Sequence, residues 1–331
     1  MSEAVKVDPQ TSPGLEGLVP IDLEILQGGE PLKFPIYQRL NGSRSFALVM
    51  NRRQRFTERL RAAIRTSEGL KVYTKRRFLS DYEDYLESRM GNFLSDESVP
   101  LETRSGVLYG QASKVVEGLF TGDISPKSLE KAANEASHLS MYLSLHPKAL
   151  RSMMSLTSND YYTFTHSLHV CIYGLGLYQQ VFPRKSAASM DLVSVGLLFH
   201  DIGKCRVDGA ILKKDGPLNP SEWETIKRHP AWGRDILVEN GNQDPTILDI
   251  VLAHHERMDG RGYPNGLKGD ELTDAAKIAA IADVFDAMTT NRPYKKRLTR
   301  FEALKEMGDQ NRYGDHFAHH FFEAFVRMMG D

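Results

Sequence analysis

The sequence predicts a mainly α-helical protein with a small α+β unit ahead of a larger helical domain. Three observations predict this. Apolar residues recur at helical spacing from about Ser80 onward. Alternating segments around Phe34–Ile36 and Phe46–Met50 flank Asn41-Gly42, a hairpin signal. The apolar runs Leu192–Phe199 and Ile247–Ala253 each end in an adjacent polar pair, His200-Asp201 and His254-His255. Buried helices that end at a chemical site read this way, because such pairs are costly to bury without partners.

Taken in order, residues 1–20 carry Pro9, Pro13 and Pro20 among Ser and Gly, and a disordered tail is expected. Residues 21–100 are expected to form the α+β unit, with a regulatory or sensory role. A helix over about 54–67 would bury Phe56, Leu60, Ala63 and Ile64, and a further strand would follow Gly69 at Leu70–Tyr73. Residues 33–77 hold thirteen Lys or Arg and two acids, Glu58 and Glu68. This reads as a solvated basic face or as a surface for an anionic ligand or acidic partner.

Residues 101–150 read as linking helices. Leu108, Ala112, Val115, Val116 and Leu119 make one stripe, and Leu129, Ala132, Ala133, Ala136 and Leu139 make the next. Between them, Ser125 is placed to cap a helix with Pro126 at its first position. The small residues on these stripes suit core packing or a homodimer contact. Residues 151–331 are expected to form the main helical domain.

Bulk properties narrow the function. Hydrophobic content is 41% and charged content 26% over 331 residues, ordinary globular values. A net charge of −1 gives no reason to expect a nucleic-acid polymer or a membrane surface as partner. The two cysteines, Cys171 and Cys205, form no CxxC, so a reducing compartment is the default. No basic-then-apolar signal pattern occupies Met1–Glu30, and no run of 18 apolar residues exists. A cytoplasmic protein without a membrane span is expected.

The residues that carry chemistry lie between positions 166 and 283. They are His166, His200, Asp201, His229, His254, His255 and Asp283, with Lys204 beside them. Imidazole with carboxylate suits Fe, Mn and Zn. Seven such groups exceed the needs of one tetrahedral ion. They fit two ions sharing a carboxylate, an arrangement that activates water for phosphate ester hydrolysis. Asp283 and Asp286 are three apart and share a helix face, and Arg292 and Lys295 follow at the helix end, where they could hold phosphate. The glycines between Asp259 and Pro264 mark a loop able to lie close over a ligand.

His200-Asp201-x-Gly203-Lys204, taken with His255-Glu256-x-x-Asp259-Gly260-x-Gly262-Tyr263-Pro264, resembles the HD-GYP family of the HD phosphohydrolase superfamily. The resemblance covers about 159–327. It implies an HD helix bundle over 151–331 that hydrolyses cyclic di-GMP to pGpG, with GMP as the product of a second cut. It implies two divalent ions, Fe or Mn, held by His166, His200, Asp201, His229, His254, His255 and Asp283, with Asp201 bridging. Lys204 would act with Asp201 in catalysis and face the scissile phosphate. Gly262, Tyr263, Asp286, Arg292 and Lys295 complete the expected substrate contacts. Diguanylate cyclase domains are among the partners implied.

Some family members bind a third ion through a Glu four residues before the first His. Tyr162 stands there in this chain, with Asp160 nearby. A phenol with a pKa of about 10 is a poor ligand at neutral pH, so two ions are expected. His316, His319 and His320 are read as surface residues of a terminal helix. His169 is read as packing in its helix or lining the pocket edge. Two alternatives stand beside the hydrolase: a receptor or docking protein with little turnover, and a hydrolase of another cyclic dinucleotide.

Overall fold

The computed structural model describes residues 17–40, 45–66, 71–122, 124–157, 165–184, 186–290 and 297–330. Tyr162, Asp160, Arg292, Lys295, Asn41 and Gly42 lie outside these. The chain divides into two compact units, residues 1–107 and 108–331.

The first unit is α+β. Strands β1 (Leu18–Ile21), β2 (Ile36–Arg39), β3 (Phe46–Met50) and β4 (Val72–Lys75) form an antiparallel sheet in the order β1-β4-β2-β3. Strand β1 corrects the expected tail, which ran to residue 20. Pro20 reads as a breaker in sequence, yet it pairs opposite Tyr73 on an edge strand, where a missing N–H is tolerated. Helix α1 (Glu58–Thr66) is shorter than expected. Phe56 is buried ahead of it rather than within it. Helix α2 (Leu79–Ser95) buries Tyr82, Leu86, Met90, Phe93 and Leu94, one helical stripe. Phe34 packs edge-on against Tyr82 and Tyr85, with ring centroids 5.3 and 5.7 Å away.

Part of the basic excess is structural. The Arg61 guanidinium donates to the carbonyls of Leu23 and Leu26 and to Glu58, and Arg65 pairs with Glu24 at 2.5 Å. Arg52, Arg53, Arg55, Arg76 and Arg77 are exposed.

The second unit is helical apart from its loops. Helix α3 (Leu101–Thr121) enters it, followed by α4 (Pro126–Leu145), α5 (Ala149–Thr157), α6 (Thr165–Val181) and α7 (Ala187–Phe199). Next come α8 (Gly209–Leu212), α9 (Pro220–Ile226), α10 (His229–Glu239) and α11 (Pro245–Ala253). The last are α12 (Asp274–Thr289), α13 (Arg300–Gly314) and α14 (His319–Gly330). Ser125 caps α4 with Pro126 at its first position. Helix α6 is buried almost all round, Leu168 to Tyr178, so it is the hub of the bundle. It packs against α7, α12 and α14, while α7 also packs against α4 and α11. Of the two expected stripes, Leu108, Ala112, Val116, Leu119, Leu129, Ala132, Ala136 and Leu139 are buried within one chain, and Val115 and Ala133 are half-buried. Among the described residues no helix is long and apolar enough to cross a membrane.

Arg61 satisfies two carbonyls that its neighbours bury. Arg61→Ala is expected to destabilise the first unit by about 1–3 kcal/mol, read as a lower urea midpoint for that unit's transition.

Candidate metal centre

Helix ends bring the predicted ligands together. His200 and Asp201 follow the last residue of α7, and His254 and His255 follow the last residue of α11. His229 opens α10, His166 stands in the first turn of α6, and Asp283 lies inside α12. The two helix C-termini add partial negative charge that favours cations. Gly203 lets these segments meet. A Cβ there would sit 1.9 Å from the His229 carbonyl oxygen and 2.5 Å from Gly233 N.

Three imidazoles are aimed by main-chain carbonyls three residues earlier in the chain. The Nδ1 of His200, His229 and His254 lies 2.8, 2.8 and 2.9 Å from the carbonyls of Leu197, Ile226 and Val251. A carbonyl only accepts, so each Nδ1 carries the proton and each Nε2 presents a lone pair. His229 Nε2 and His254 Nε2 are nevertheless 3.1 Å apart, and no proton is left to lie between them. His200 Nε2 and Asp201 Oδ1 are buried with no hydrogen-bond partner. Lone pairs and a carboxylate oxygen crowded in this way fit a cation.

Two groups of ligand atoms result: Asp201, His229, His254 and His255, and then His166, His200 and Asp283. Asp201 stands between them. Its Oδ1 is 3.2 Å from His229 Nε2, and its Oδ2 is 3.4 and 3.6 Å from His200 and His166 Nε2. Asp283 sets Oδ1 3.0 Å from His166 Nε2 and Oδ2 3.4 Å from His255 Nδ1.

Protonation suits the arrangement. Burial, reinforced by the neighbouring imidazoles, pushes His254 well below its usual range. Burial takes His255 down to about 3. For Asp201, burial opposes the charge, but Lys204 and His200 outweigh it and hold the carboxyl well below the carboxylate range. Asp283 is held low against burial by His166 and His255. Burial also opposes charge on His166, yet hydrogen bonds to Asp283 and Asp286 raise it to about 9. Neutral imidazoles beside ionised carboxylates are the forms that bind metal, so His254 and His255 stand ready, whereas binding at His166 must displace a proton.

The loop after His255 is held by its own backbone. Glu256, 2% exposed, accepts from Asn265 N at 2.6 Å and Leu267 N at 3.1 Å. Gly262 lies so close to this segment that a Cβ would be 2.4 Å from Glu256 Cα. Tyr263 is half-buried, its ring centroid 4.7 Å from that of His255. Lys204 Nζ donates to Asp201 Oδ2 at the rim.

Two positions, Asp286 and His316, differ from expectation. Asp286, taken as a substrate contact, is 1% exposed. Both its oxygens are engaged, Oδ2 by His166 Nδ1 at 2.7 Å and Oδ1 by His169 Nδ1 at 3.0 Å. His169 is wholly buried on α6, the packing alternative of its two readings. His316 precedes α14, half-buried, and its carbonyl accepts from Met258 N. His319 and His320 are exposed on α14. Sequence reasoning left Glu256 without a role. An acid inside a glycine-rich loop, with backbone N–H groups to satisfy, was the available signal.

Residues 183–317 match the HD domain family. The match takes in His200-Asp201 and the whole run from His254 to Pro264. The segment that carries these motifs is an HD domain of the HD-GYP type. The chain is 34% identical to a cyclic di-GMP phosphodiesterase of Pseudomonas aeruginosa over 68% of its own length and 54% of the relative's. It is 30% identical to a 3′3′-cGAMP-specific phosphodiesterase of Vibrio cholerae over 73% of its length and 54% of that protein's. It thus spans about half the length of these curated relatives. An HD-GYP-type protein from Bdellovibrio bacteriovorus has the same fold, with a TM-score of 0.64 at 20% identity over 95% of this chain and 100% of the other.

The close approach at Gly203 yields a test. Gly203→Ala is expected to destabilise the domain by at least about 1–3 kcal/mol and to lower bound metal per chain. Gly209→Ala, with nothing within 4 Å of the added Cβ, is expected to leave thermal midpoint and metal content unchanged.

Proposed function

We propose that this HD-GYP chain hydrolyses cyclic di-GMP to pGpG at a centre of two divalent ions, Fe or Mn. The observation that carries the reading is Asp201, whose two oxygens each face a different ligand group. One ion would be held by Asp201, His229, His254 and His255, and the other by His166, His200 and Asp283, with Asp201 shared. When bound, such a pair supplies Lewis acidity to phosphoryl oxygens and makes a nearby water acidic enough to react at neutral pH.

The chain's own residues do the rest. The backbone-anchored imidazoles keep their Nε2 lone pairs fixed in direction. The buried setting excludes bulk water and strengthens each charge interaction. Lys204, its side chain 29% exposed, meets negative charge that develops on the phosphate. Tyr263 offers a half-buried ring beside His255, and Gly262 lets the loop backbone come close. Arg292 and Lys295 are proposed as phosphate or guanine contacts on family resemblance.

Relatives named for cyclic di-GMP and for 3′3′-cGAMP support a cyclic dinucleotide as the substrate class, and guanine is common to both. Tyr162 supports two ions rather than three. The first unit and the helices after it are proposed to regulate, to dock partners such as diguanylate cyclase domains, or to join a homodimer. The cytoplasm is the proposed compartment.

Anaerobically purified protein is expected to carry about two ions per chain, as a two-metal site requires, and to open cyclic di-GMP. Asp201→Asn is expected to lose at least about a hundredfold in turnover. Chelation should abolish turnover and Mn2+ should restore it. Tight binding without turnover by metal-filled wild type would move the protein to the receptor class; faster opening of 3′3′-cGAMP would change the substrate.

In a time course, pGpG is expected to accumulate ahead of GMP. GMP appearing as fast as substrate disappears would overturn the single-cut reading.

A further inference from the structure

A chain of side chains runs from His166 away from the centre and ends on α3. Asp286 Oδ2 lies 2.7 Å from His166 Nδ1, and Asp286 Oδ1 lies 3.0 Å from His169 Nδ1. His169 Nε2 lies 2.8 Å from the Tyr109 hydroxyl. Tyr109, His169 and Asp286 are 8%, 0% and 1% exposed. We infer that Tyr109 and His169 are positioning residues for His166, holding Asp286 so that the His166 ring presents Nε2 to one ion of the pair. The inference rests on the two-metal reading of the site and adds two residues to it.

The proton directions agree from Tyr109 through His169 and Asp286 to His166 Nδ1. A carboxylate accepts, so both Nδ1 atoms donate to Asp286. With its Nδ1 proton given to Asp286, His169 can accept at Nε2 from the tyrosine hydroxyl. His166, with Nδ1 committed to Asp286, has Nε2 as its ligand atom, 3.0 Å from Asp283 and 3.6 Å from Asp201, and an ion bound there would displace the Nε2 proton that Asp283 accepts. Each link fixes the tautomer of the next.

Packing alone does not account for His169. A wholly buried imidazole must find partners for both nitrogens or bear the cost of desolvation, and an aliphatic residue would fill the space without that demand. Two imidazoles on one carboxylate also fix the plane of that carboxylate. With one of them gone, Asp286 can turn about its terminal torsion and His166 turns with it. The three other imidazoles that carry ligand Nε2 atoms, His200, His229 and His254, are held by backbone carbonyls instead. Tyr109 should therefore matter to one ion and not to both.

Stepwise Mn2+ titration of metal-free protein, followed by the spectrum of free Mn2+, tests this without any substrate. Wild type is expected to show two binding events. Tyr109→Phe and His169→Leu should weaken one event roughly 10- to 100-fold, the usual effect of removing a group that orients a ligand, and leave the other unchanged. His169→Asn should recover much of the loss, because its amide nitrogen takes the place of Nδ1 and can donate to Asp286. Tyr109→Phe removes one oxygen atom and keeps the ring, so it tests the idea even if His169→Leu folds poorly. Two unchanged events in Tyr109→Phe would overturn the inference and leave the two-metal reading standing, as would equal weakening of both. Wild type that binds no Mn2+ would overturn the two-metal reading, and this inference with it.

Discussion

The centre depends on one repeated interaction, the hydrogen bond from a histidine Nδ1 to the carbonyl three residues earlier in its own chain. His200, His229 and His254 each make it, at 2.8 to 2.9 Å. The bond settles the tautomer, and the helix or turn that provides the carbonyl settles the direction of the ring. Three lone pairs are aimed at Asp201 before any ion arrives. The arrangement is costly alone, since His229 and His254 bring two lone pairs to 3.1 Å and His200 Nε2 has no partner. The apolar packing of α6, α7 and α11 must bear that cost.

The bundle is built to bear it. Helix α6 is buried along most of its length, and the runs that end in His200 and His254 are buried to their last residues. Close approach of the ligand-bearing segments uses glycine where a Cβ would strike backbone. Gly203 sits against the start of α10, and Gly262 sits against the segment just after the tandem histidines. The Gly in the HD-x-GK pattern and the Gly in GYP thus have a steric reason in this chain that is separate from any contact with substrate.

The legible part of the site was the part written locally. Adjacent polar pairs at the ends of apolar runs pointed to buried helix termini, and the structure has them there. The helical stripes of α3 and α4 and the cap at Ser125 were legible for the same reason. What failed needed knowledge of the far side of a residue. Asp286 shares a face with Asp283, and spacing could not show that His166 and His169 cover both its oxygens. Tyr109 carries no local signal, since its partner is 60 residues away. Strand β1 was hidden by Pro20, because only the sheet order reveals that the strand is an edge. Arg61 looked like surface charge until the carbonyls of Leu23 and Leu26 were seen to surround it.

The two ligand groups are held by different means, and this bears on how the centre can respond. In the group of four, His229 and His254 are oriented by main-chain carbonyls and Glu256 ties down the loop after His255. Main-chain supports change only if a helix end unwinds. In the group of three, His166 is oriented by Asp286, a side chain whose own plane is set by another side chain. Side-chain supports can alter through a rotamer or a small helix shift, with the backbone hydrogen bonds intact. His200, His229 and His254 are therefore fixed by main chain, and His166 is where a change elsewhere in the bundle would first be felt. Asp201 and Asp283 each face imidazoles of both groups, so a shift at His166 would reach the other group through two carboxylates.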